Sequence, residues 1–226
     1  MWYDDYKAEG SWSVLWSGYV LCGHCEGICK IGSNCPVCGN EPFSLQQHQH
    51  RADFKEPVVS ETHMGAEGRY EDWLYLQMLE REWKRPVPTV DRLSEPDPTR
   101  QPSARAAIVV LFWSYFETRI ERLLRAGMRN IPPRLVEDTL QRYTSIGSRL
   151  DRLYRVLFET TYGEDLCDLG FNDVRLHLTE VQKRRNSFAH GDPAAIDDAL
   201  VVAVVENLER EHESWIAVFN RRLAHS

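Results

Sequence analysis

The stretch SARAAIVVLFWSYFETRIERLLRAGMRN, residues 103–130, decides the fold that the sequence predicts. Its apolar side chains recur at helical spacing and place five large residues on one face: Val109, Phe112, Phe116, Ile120 and Leu123. Ser103 is suited to cap the first turn, and Pro132-Pro133 end this helix and can open the next. The stretch therefore predicts a long helix that turns one face to a core.

Three further amphipathic stretches follow this helix, and strands rich in isoleucine and valine are missing between them. The second helix is predicted to end near Gly163, Asn172 suits the cap of a third, and Asp192-Pro193 suit the start of a fourth. Their apolar residues are Leu150, Leu153 and Leu157, then Val174, Leu178 and Val181, then Ile196, Leu200, Val204 and Leu208. The pattern predicts a mainly α fold, a bundle of roughly four to five helices.

The cysteines near the N-terminus form two hooks, Cys22-Gly23-His24-Cys25 and Cys35-Pro36-Val37-Cys38. Two such hooks supply the four sulfur ligands of a tetrahedral zinc ion and leave no open position for catalysis. Gly23 and Gly39 allow the tight turns that such hooks need. The hooks resemble the rubredoxin-type knuckles of a zinc ribbon, so we expect a structural zinc ion and no catalytic metal.

The same cysteines have alternative interpretations. They can form disulfides, although a cytosolic setting argues against that. Cys29 lies between the hooks and can replace one of the four ligands, but we interpret it as a bystander. Cys167 stands apart from the others and is predicted to be a small core residue.

Composition divides the chain into three segments. Residues 1–45 hold the predicted zinc ribbon, residues 46–102 a helix and a proline-rich linker, and residues 103–226 the helical bundle. The helix of the middle segment is predicted over residues 69–84, because four apolar side chains share one face there: Trp73, Leu76, Leu79 and Trp83. The prolines that follow favour extended backbone, which places the main boundary before residue 103.

The net charge of −7 argues against a generally basic surface, so any nucleic-acid binding is expected to be local. Four arginines recur along one face of the first long helix: Arg119, Arg122, Arg125 and Arg129. We interpret this face as solvated, with intrahelical partners such as Glu121. The N-terminus lacks the features of a signal peptide and no apolar run is long enough to span a bilayer, so we expect a cytoplasmic protein without a membrane partner.

The candidate catalytic sequence is Arg185-Asn186-Ser187-Phe188-Ala189-His190, with Gly191 directly after it. Arg185 lies where the apolar stripe of the third helix, extended by four residues, would place another hydrophobic side chain. His190 falls in the last turn of that helix, and Gly191 suits its C-cap. An arginine can bind a phosphate and a histidine can transfer a proton near neutral pH, and both are needed to cut RNA without a metal.

The spacing within this motif has a geometric consequence. On an ideal helix, Arg185 and His190 point about 140° apart, whereas Asn186 and His190 share a face. Two copies of the helix that face each other in a symmetric dimer would bring both pairs to one cleft. The alternative interpretation is structural: His190 complements the helix dipole, and Arg185 forms a salt bridge with Glu180 or a neighbouring helix.

The motif, its late position and its all-helical setting resemble those of the HEPN ribonucleases, over residues 103–222. By this resemblance Arg185 matches the motif arginine, Asn186 the polar residue after it and His190 the histidine. Arg184 is a less favoured substitute for Arg185. The resemblance also implies a helical bundle that pairs as a homodimer and forms a composite ribonuclease centre.

HEPN proteins often carry an acidic or polar residue on the first long helix near the centre, and Glu117 or Ser114 could match it. The sequence thus leads us to expect a homodimeric, metal-independent endoribonuclease that leaves a 2′,3′-cyclic phosphate on its RNA substrate. By resemblance its role is that of a toxin or antiviral effector, with an inhibitory antitoxin or regulatory protein as partner. Two other classes stay open: a non-catalytic interaction module, and a zinc-ribbon regulator that binds nucleic acid.

Overall fold

One long helix, α2, contacts helices from both ends of the chain and forms the centre of the fold. The computed structural model describes Trp12, Leu15 and residues 19–22, 24–30, 32–41, 66–87 and 102–224 of the 226-residue chain. The elements in chain order are β1 (Tyr19–Leu21), β2 (Ile28–Lys30), α1 (Ala66–Lys84), α2 (Ala107–Gly127), α3 (Pro133–Arg142), α4 (Ile146–Ser148), α5 (Tyr154–Phe158), α6 (Tyr162–Asp168), α7 (Asn172–Ala189), α8 (Asp198–Glu206) and α9 (Leu208–Leu223). The described part of the chain is mainly helical, as predicted.

The predicted central helix is confirmed, and its five apolar residues are buried: Val109, Phe112, Phe116, Ile120 and Leu123. Ser103 lies one turn before α2 and accepts a 3.1 Å hydrogen bond from the backbone N–H of Arg105, so it does not cap the helix, which follows Ala106 without a side-chain cap. Asn172 is likewise not a cap, because it is the first residue of α7 and follows Phe171. Pro133 is the first residue of α3, in agreement with the sequence. Proline suits this position because the first turn of a helix needs no backbone donor there.

The second predicted helix is interrupted and ends earlier than expected. It consists of α4, a π-helical segment (Arg149–Leu153) and α5, and Glu159 ends it with a left-handed φ of 62°. Gly163, predicted near its end, lies inside the separate helix α6. The side chains of Thr161 and Glu164 start α6 with a reciprocal capping box, which explains why the chain begins a new helix there.

The fourth predicted helix also begins later than expected. Asp192 and Pro193 start only a short 3-10 turn, which covers Pro193–Ala195. The helix itself begins with α8, where the Asp197 side chain accepts a 2.9 Å hydrogen bond from the backbone N–H of Leu200. The apolar spacing was correct, but the helix breaks again at Asn207, between α8 and α9.

Residues from all three predicted segments share one hydrophobic core. Ile28 from β2 and Leu76 and Leu79 from α1 are buried in the same cluster as the apolar face of α2. Asn220 of α9 holds β2 by two hydrogen bonds. Its side chain accepts one of 2.6 Å from the Ile28 N–H and donates one of 2.8 Å to the Ile28 carbonyl. The predicted linker, within residues 88–101, and the predicted 45/46 boundary lie outside the described residues.

The arginine face of α2 is largely buried, so its interpretation as a solvated face is wrong. Arg119 is fully buried and donates a 2.8 Å hydrogen bond to Glu211 of α9. Its guanidinium lies between two rings, 4.8 Å from the centroid of Tyr115 and 4.4 Å from that of Trp215. Burial raises the pKa of Glu211, and the charge of Arg119 opposes that shift. The sequence could not show that α9 supplies a buried carboxylate.

The next arginines of the same face connect α2 to other elements. Arg122 is buried and forms a bidentate pair with Asp72 of α1, with 3.0 Å between Nη1 and Oδ2. Arg125 is part-exposed and binds Glu121, as the sequence predicted, and also Glu137 of α3. These pairs tie α2 to both the preceding and the following helix. Within the described ranges, no helix combines the length and the apolar character needed to cross a membrane.

We predict that the Arg119–Glu211 pair can be replaced but not broken. The substitution Arg119→Met should lower the free energy of unfolding by about 3–5 kcal/mol, because it leaves a buried carboxylate without a counter-charge. The double variant Arg119→Met/Glu211→Leu should regain most of that loss, and Arg125→Met, at a part-exposed pair, should cost roughly 1 kcal/mol or less. Urea denaturation measures all three, and equal losses in the single and double buried variants would contradict the interpretation.

Candidate functional site

The four cysteines of the two hooks converge, as the sequence predicted: Cys22, Cys25, Cys35 and Cys38. Their sulfur atoms all lie within 4.8 Å of one another. The separations are 3.8 Å between the Cys22 and Cys38 sulfurs and 3.5 Å between those of Cys25 and Cys35. A tetrahedral ion with bonds near 2.3 Å requires sulfur separations of about 3.8 Å, so these four residues could hold a metal ion.

The backbone of the two hooks follows one scheme. The N–H of Glu26 donates to the Cys22 carbonyl over 2.9 Å, and that of Gly39 donates to the Cys35 carbonyl over the same distance. Both residues follow the second cysteine of their hook and have left-handed φ values, 61° for Glu26 and 74° for Gly39. The sequence predicted the turn at Gly39 but not the one at Glu26. Glycine adopts a left-handed φ without strain and so indicates this conformation, whereas glutamate does not. Gly23, the other predicted turn residue, lies outside the described residues.

Gly27 closes the base of the cysteine cluster. A Cβ atom at this position would lie 2.9 Å from Val37, 3.3 Å from the Cys25 sulfur and 3.4 Å from the Cys35 sulfur. Any larger side chain would therefore push the ligand sulfurs apart. The cluster is thus compatible with a structural metal site. Burial raises the pKa of Cys25, and a bound cation would offset that shift.

The remaining cysteines lie outside the four-sulfur cluster. Cys29 is buried beside it, and its sulfur is 3.7 Å from the Gly27 carbonyl. Cys167 is exposed, so its prediction as a core residue is wrong. Helix α6 turns Tyr162, Asp165 and Leu166 inward, which leaves the next position on the outside.

We predict that the cysteine cluster binds one zinc ion per chain and that this ion stabilises β2 on α9. The substitution Cys35→Ser should abolish stoichiometric zinc, measured by elemental analysis, because thiolates are the preferred ligands of such a site. Thermal stability should fall as well, since Ile28 and Asn220 couple the hooks to the core. Cys167→Ser should retain full zinc content, and so should Cys29→Ala; zinc loss in the latter would identify Cys29 as a ligand instead.

The candidate catalytic motif lies where the sequence placed it, at the C-terminal end of α7. The last helical residue is Ala189, and His190 is the C-cap. The N–H of His190 donates a 3.0 Å hydrogen bond to the Asn186 carbonyl. The N–H of Asp192 donates to Ser187 and that of Gly191 to Phe188, each over 3.1 Å, which is the Schellman arrangement. Gly191 has a φ of 99°, so the predicted glycine cap is confirmed and the backbone at His190 is well defined.

Arg185 and its neighbour Arg184 have different environments. Arg184 donates a 2.6 Å hydrogen bond to the Ala195 carbonyl, and its guanidinium lies 2.7 Å from the Asp197 carboxylate. It therefore holds the loop after α7 against the helix. In the described part of the chain, Arg185 has no carboxylate within 4.0 Å, and its Nη1 donates 3.1 Å to the Asn186 side chain. The preference for Arg185 over Arg184 as a phosphate ligand therefore has a physical basis. The alternative pairing of Arg185 with Glu180 is not observed; Arg184 lies 4.0 Å from that carboxylate.

The structure brings Asn186 and His190 to one end of α7 but does not bring Glu117 there. Glu117 accepts a 2.6 Å hydrogen bond from the indole of Trp113. The ring of Phe112 contacts that of His177, and the N–H of Ser103, just before α2, donates to the carbonyl of Ile196, after α7. The two helices α2 and α7 therefore run in opposite directions. At 1.5 Å per residue, Glu117 and His190 of one chain are separated by about 27 Å along these helices. A role for Glu117 within the same chain therefore has no geometric support.

A groove of about 460 Å³, whose last lining residue on α7 lies about one turn before the motif, was not predicted from the sequence. Helices α2, α6 and α7 and the π-helical segment line it. The α7 residues that line the groove are Arg175, Leu178, Thr179 and Gln182. Asn186 lies on the same face of α7, one turn further along. The π-helical segment could not be recognised from the sequence, because its apolar spacing is compatible with an ordinary α-helix.

Comparisons with protein-family models, with curated proteins and with solved structures find no match. The resemblance to HEPN ribonucleases therefore remains a prediction from the motif, and the function has to be argued from the residues of the site.

We predict that Gly191 is needed to fix His190. The substitution Gly191→Ala should destabilise the protein by about 1–2 kcal/mol, since a side chain is disfavoured at this left-handed position. It should also broaden or shift the imidazole resonances of His190 in NMR spectra. Gly147→Ala, at a helical glycine whose added Cβ meets open space, is the matched control and should be neutral or stabilising. Equal effects of both substitutions would show that the cap does not fix the histidine.

Proposed function

We propose that the protein is a metal-independent endoribonuclease that acts as a homodimer, with Arg185, Asn186 and His190 of each copy in its catalytic site. The observation that carries the proposal is that the Arg185 guanidinium has no carboxylate partner among the described residues, while His190 is exposed at the same end of the helix. Its neighbour Arg184, by contrast, already binds the carboxylate of Asp197. An arginine free of carboxylate partners can bind the phosphate of RNA in full.

The proposed reaction uses the 2′-hydroxyl of the RNA as its nucleophile. His190 removes the proton of this hydroxyl, the 2′-oxygen forms a bond to the adjacent phosphorus, and the bond from phosphorus to the 5′-oxygen breaks. The His190 of the second copy gives a proton to the leaving 5′-oxygen. Arg185 neutralises the negative charge that builds on the phosphorane, and Asn186 orients the guanidinium by accepting its hydrogen bond. The products are a 2′,3′-cyclic phosphate and a 5′-hydroxyl.

The expected directions of the side chains at the end of α7 support the proposed homodimer. On an ideal helix, Arg185 and His190 would point about 140° apart, with Asn186 between them. One copy therefore cannot direct both groups at one phosphate without distortion. A twofold axis at this end of α7 would place the arginine of each copy beside the histidine of the other.

The cysteine cluster, with its proposed zinc ion, has a supporting role in this proposal. Its ligand set leaves no coordination position for a water or a substrate. The segment is held on α9 by Asn220, so it can offer a fixed surface to RNA or to a regulatory protein. A role as a toxin or antiviral effector, restrained by an inhibitory partner, agrees with the resemblance to HEPN ribonucleases.

The test is a cleavage assay with total RNA during a short incubation in EDTA. The wild-type protein should cleave RNA, and His190→Ala and Arg185→Ala should each lower the rate by about 100-fold or more. Lys183→Ala is the matched control, because it removes an exposed positive charge from the same helix, and it should cleave at the wild-type rate. Circular dichroism of each variant excludes unfolding as the cause of a loss.

Two results, one from this assay and one from a binding assay with duplex DNA, would contradict the proposal. RNA binding without cleavage, unchanged in His190→Ala, would favour the non-catalytic interaction module. Affinity for duplex DNA that is lost in Cys35→Ser/Cys38→Ser would favour the zinc-ribbon regulator.

A further inference from the structure

The groove beside the catalytic motif has an apolar floor and a polar rim. Its floor is formed by five residues: Trp113, Phe116, Leu150, Leu166 and Leu178. Its volume of about 460 Å³ lies within the range of sites that bind small organic molecules. A flat group with apolar faces can therefore enter it, provided that the rim satisfies its polar edge.

The rim holds two polar side chains that are uncommitted. Among the residues that the structure describes, neither the Asp151 carboxylate nor the Gln182 amide has a hydrogen-bond or ion-pair partner. The other carboxylates of the rim are engaged, because Glu164 caps α6 and Asp168 lies 3.2 Å from Arg221. Asp151 is therefore the carboxylate that is available to a ligand in the groove.

Asp151 lies in the middle of the π-helical segment Arg149–Leu153. A π-helical turn is rare and stores an extra residue in the helix, and such turns occur frequently at functional sites. Here the segment contributes both Leu150 and Asp151 to the groove wall. It thus places an apolar side chain and a free carboxylate next to each other.

One arginine that lines the groove and one beyond its other end favour an anionic ligand. Arg175 lines one end, and its Nε donates 3.0 Å to Asn172, without a carboxylate partner among the described residues. Arg185 lies about 15 Å further along α7, beyond the other end. The carboxylates of the rim would repel a phosphate inside the groove. The charges therefore suit a chain whose phosphates lie outside and whose neutral base lies inside.

We propose that this groove is a subsite for one unpaired guanine of the RNA, one helical turn from the scissile phosphate at Arg185. This inference rests on the proposed function for its position relative to cleavage. Guanine presents two neighbouring N–H donors on its base-pairing edge, which one carboxylate can accept together, and Asp151 is that carboxylate. Gln182 can bind the remaining edge, and the apolar floor holds the base face. Adenine lacks this pair of donors.

The test measures binding of guanosine 3′-monophosphate to the full chain by isothermal titration calorimetry, with adenosine 3′-monophosphate, inorganic phosphate and L-arginine amide as comparisons. The guanine nucleotide should bind at least about tenfold more tightly than the other three. Asp151→Asn should remove this preference, and Thr179→Trp should block binding by filling the groove from its exposed rim. Asp138→Asn, at an exposed acid of α3 that does not line the groove, should change nothing.

Several results would overturn the guanine subsite. Equal binding of the two nucleotides, or a preference that persists in Asp151→Asn, would exclude recognition by this carboxylate. Equal binding of inorganic phosphate would show that only the arginines bind, and tighter binding of L-arginine amide would indicate a basic peptide as the occupant.

The same titration with His190→Ala separates the two proposals. This variant should keep the guanine preference, because His190 does not line the groove. RNA cleavage by the wild type without a guanine preference would overturn the subsite and leave the nuclease intact. A guanine preference without any cleavage would overturn the nuclease and leave the groove as a nucleotide site.

Discussion

The buried ion pair between Arg119 of α2 and Glu211 of α9 is the constraint on which the other contacts depend. Both side chains are fully buried, and the Nη2 of Arg119 and the Oε1 of Glu211 have no hydrogen-bond partner within the described chain. Such a pair gains little stability over apolar residues, but it strongly disfavours any arrangement that separates the charges. We infer that it fixes the register of α9 against α2, with Tyr115 and Trp215 holding the guanidinium in place. The bidentate pair of Arg122 with Asp72 fixes α1 against the same helix.

The register of α9 in turn positions the N-terminal segment. Asn220 lies on α9 about two and a half turns after Glu211, and it binds both backbone groups of Ile28. The His212 ring contacts Tyr19 of β1 at 5.1 Å and the Tyr115 hydroxyl at 3.4 Å. Burial and the charge of Arg119 lower the pKa of His212, so it is a neutral packing residue and not a proton carrier. His212 and His190 therefore differ in their surroundings: His212 is buried in the core, whereas His190 is exposed at a helix end.

Local sequence patterns predicted the parts of the structure that depend on local rules. The apolar face of α2, the cysteine hooks, and the glycine caps at Gly39 and Gly191 follow from spacing and backbone freedom, and all are confirmed. Features that depend on a distant residue were not predictable. Nothing in the sequence around Arg119 predicts its partner Glu211, which lies ninety-two positions later. The π-helical segment depends on packing, and the left-handed φ of Glu26 depends on the turn of its cysteine hook. No single residue type in the sequence predicts either feature. The helix end at Arg185–His190 was predicted correctly, whereas the distance of Glu117 from it within one chain was not predictable, because it depends on the direction in which α2 runs.

We propose that the end of α7 cuts RNA by proton transfer and phosphate neutralisation alone. The most direct measurement is mass spectrometry of the new RNA ends after cleavage by the wild-type protein in EDTA. The account predicts 2′,3′-cyclic phosphates and 5′-hydroxyls, which arise only when the neighbouring 2′-oxygen is the nucleophile. Ends with a 3′-hydroxyl and a 5′-phosphate, formed only when a divalent metal is added, would contradict it.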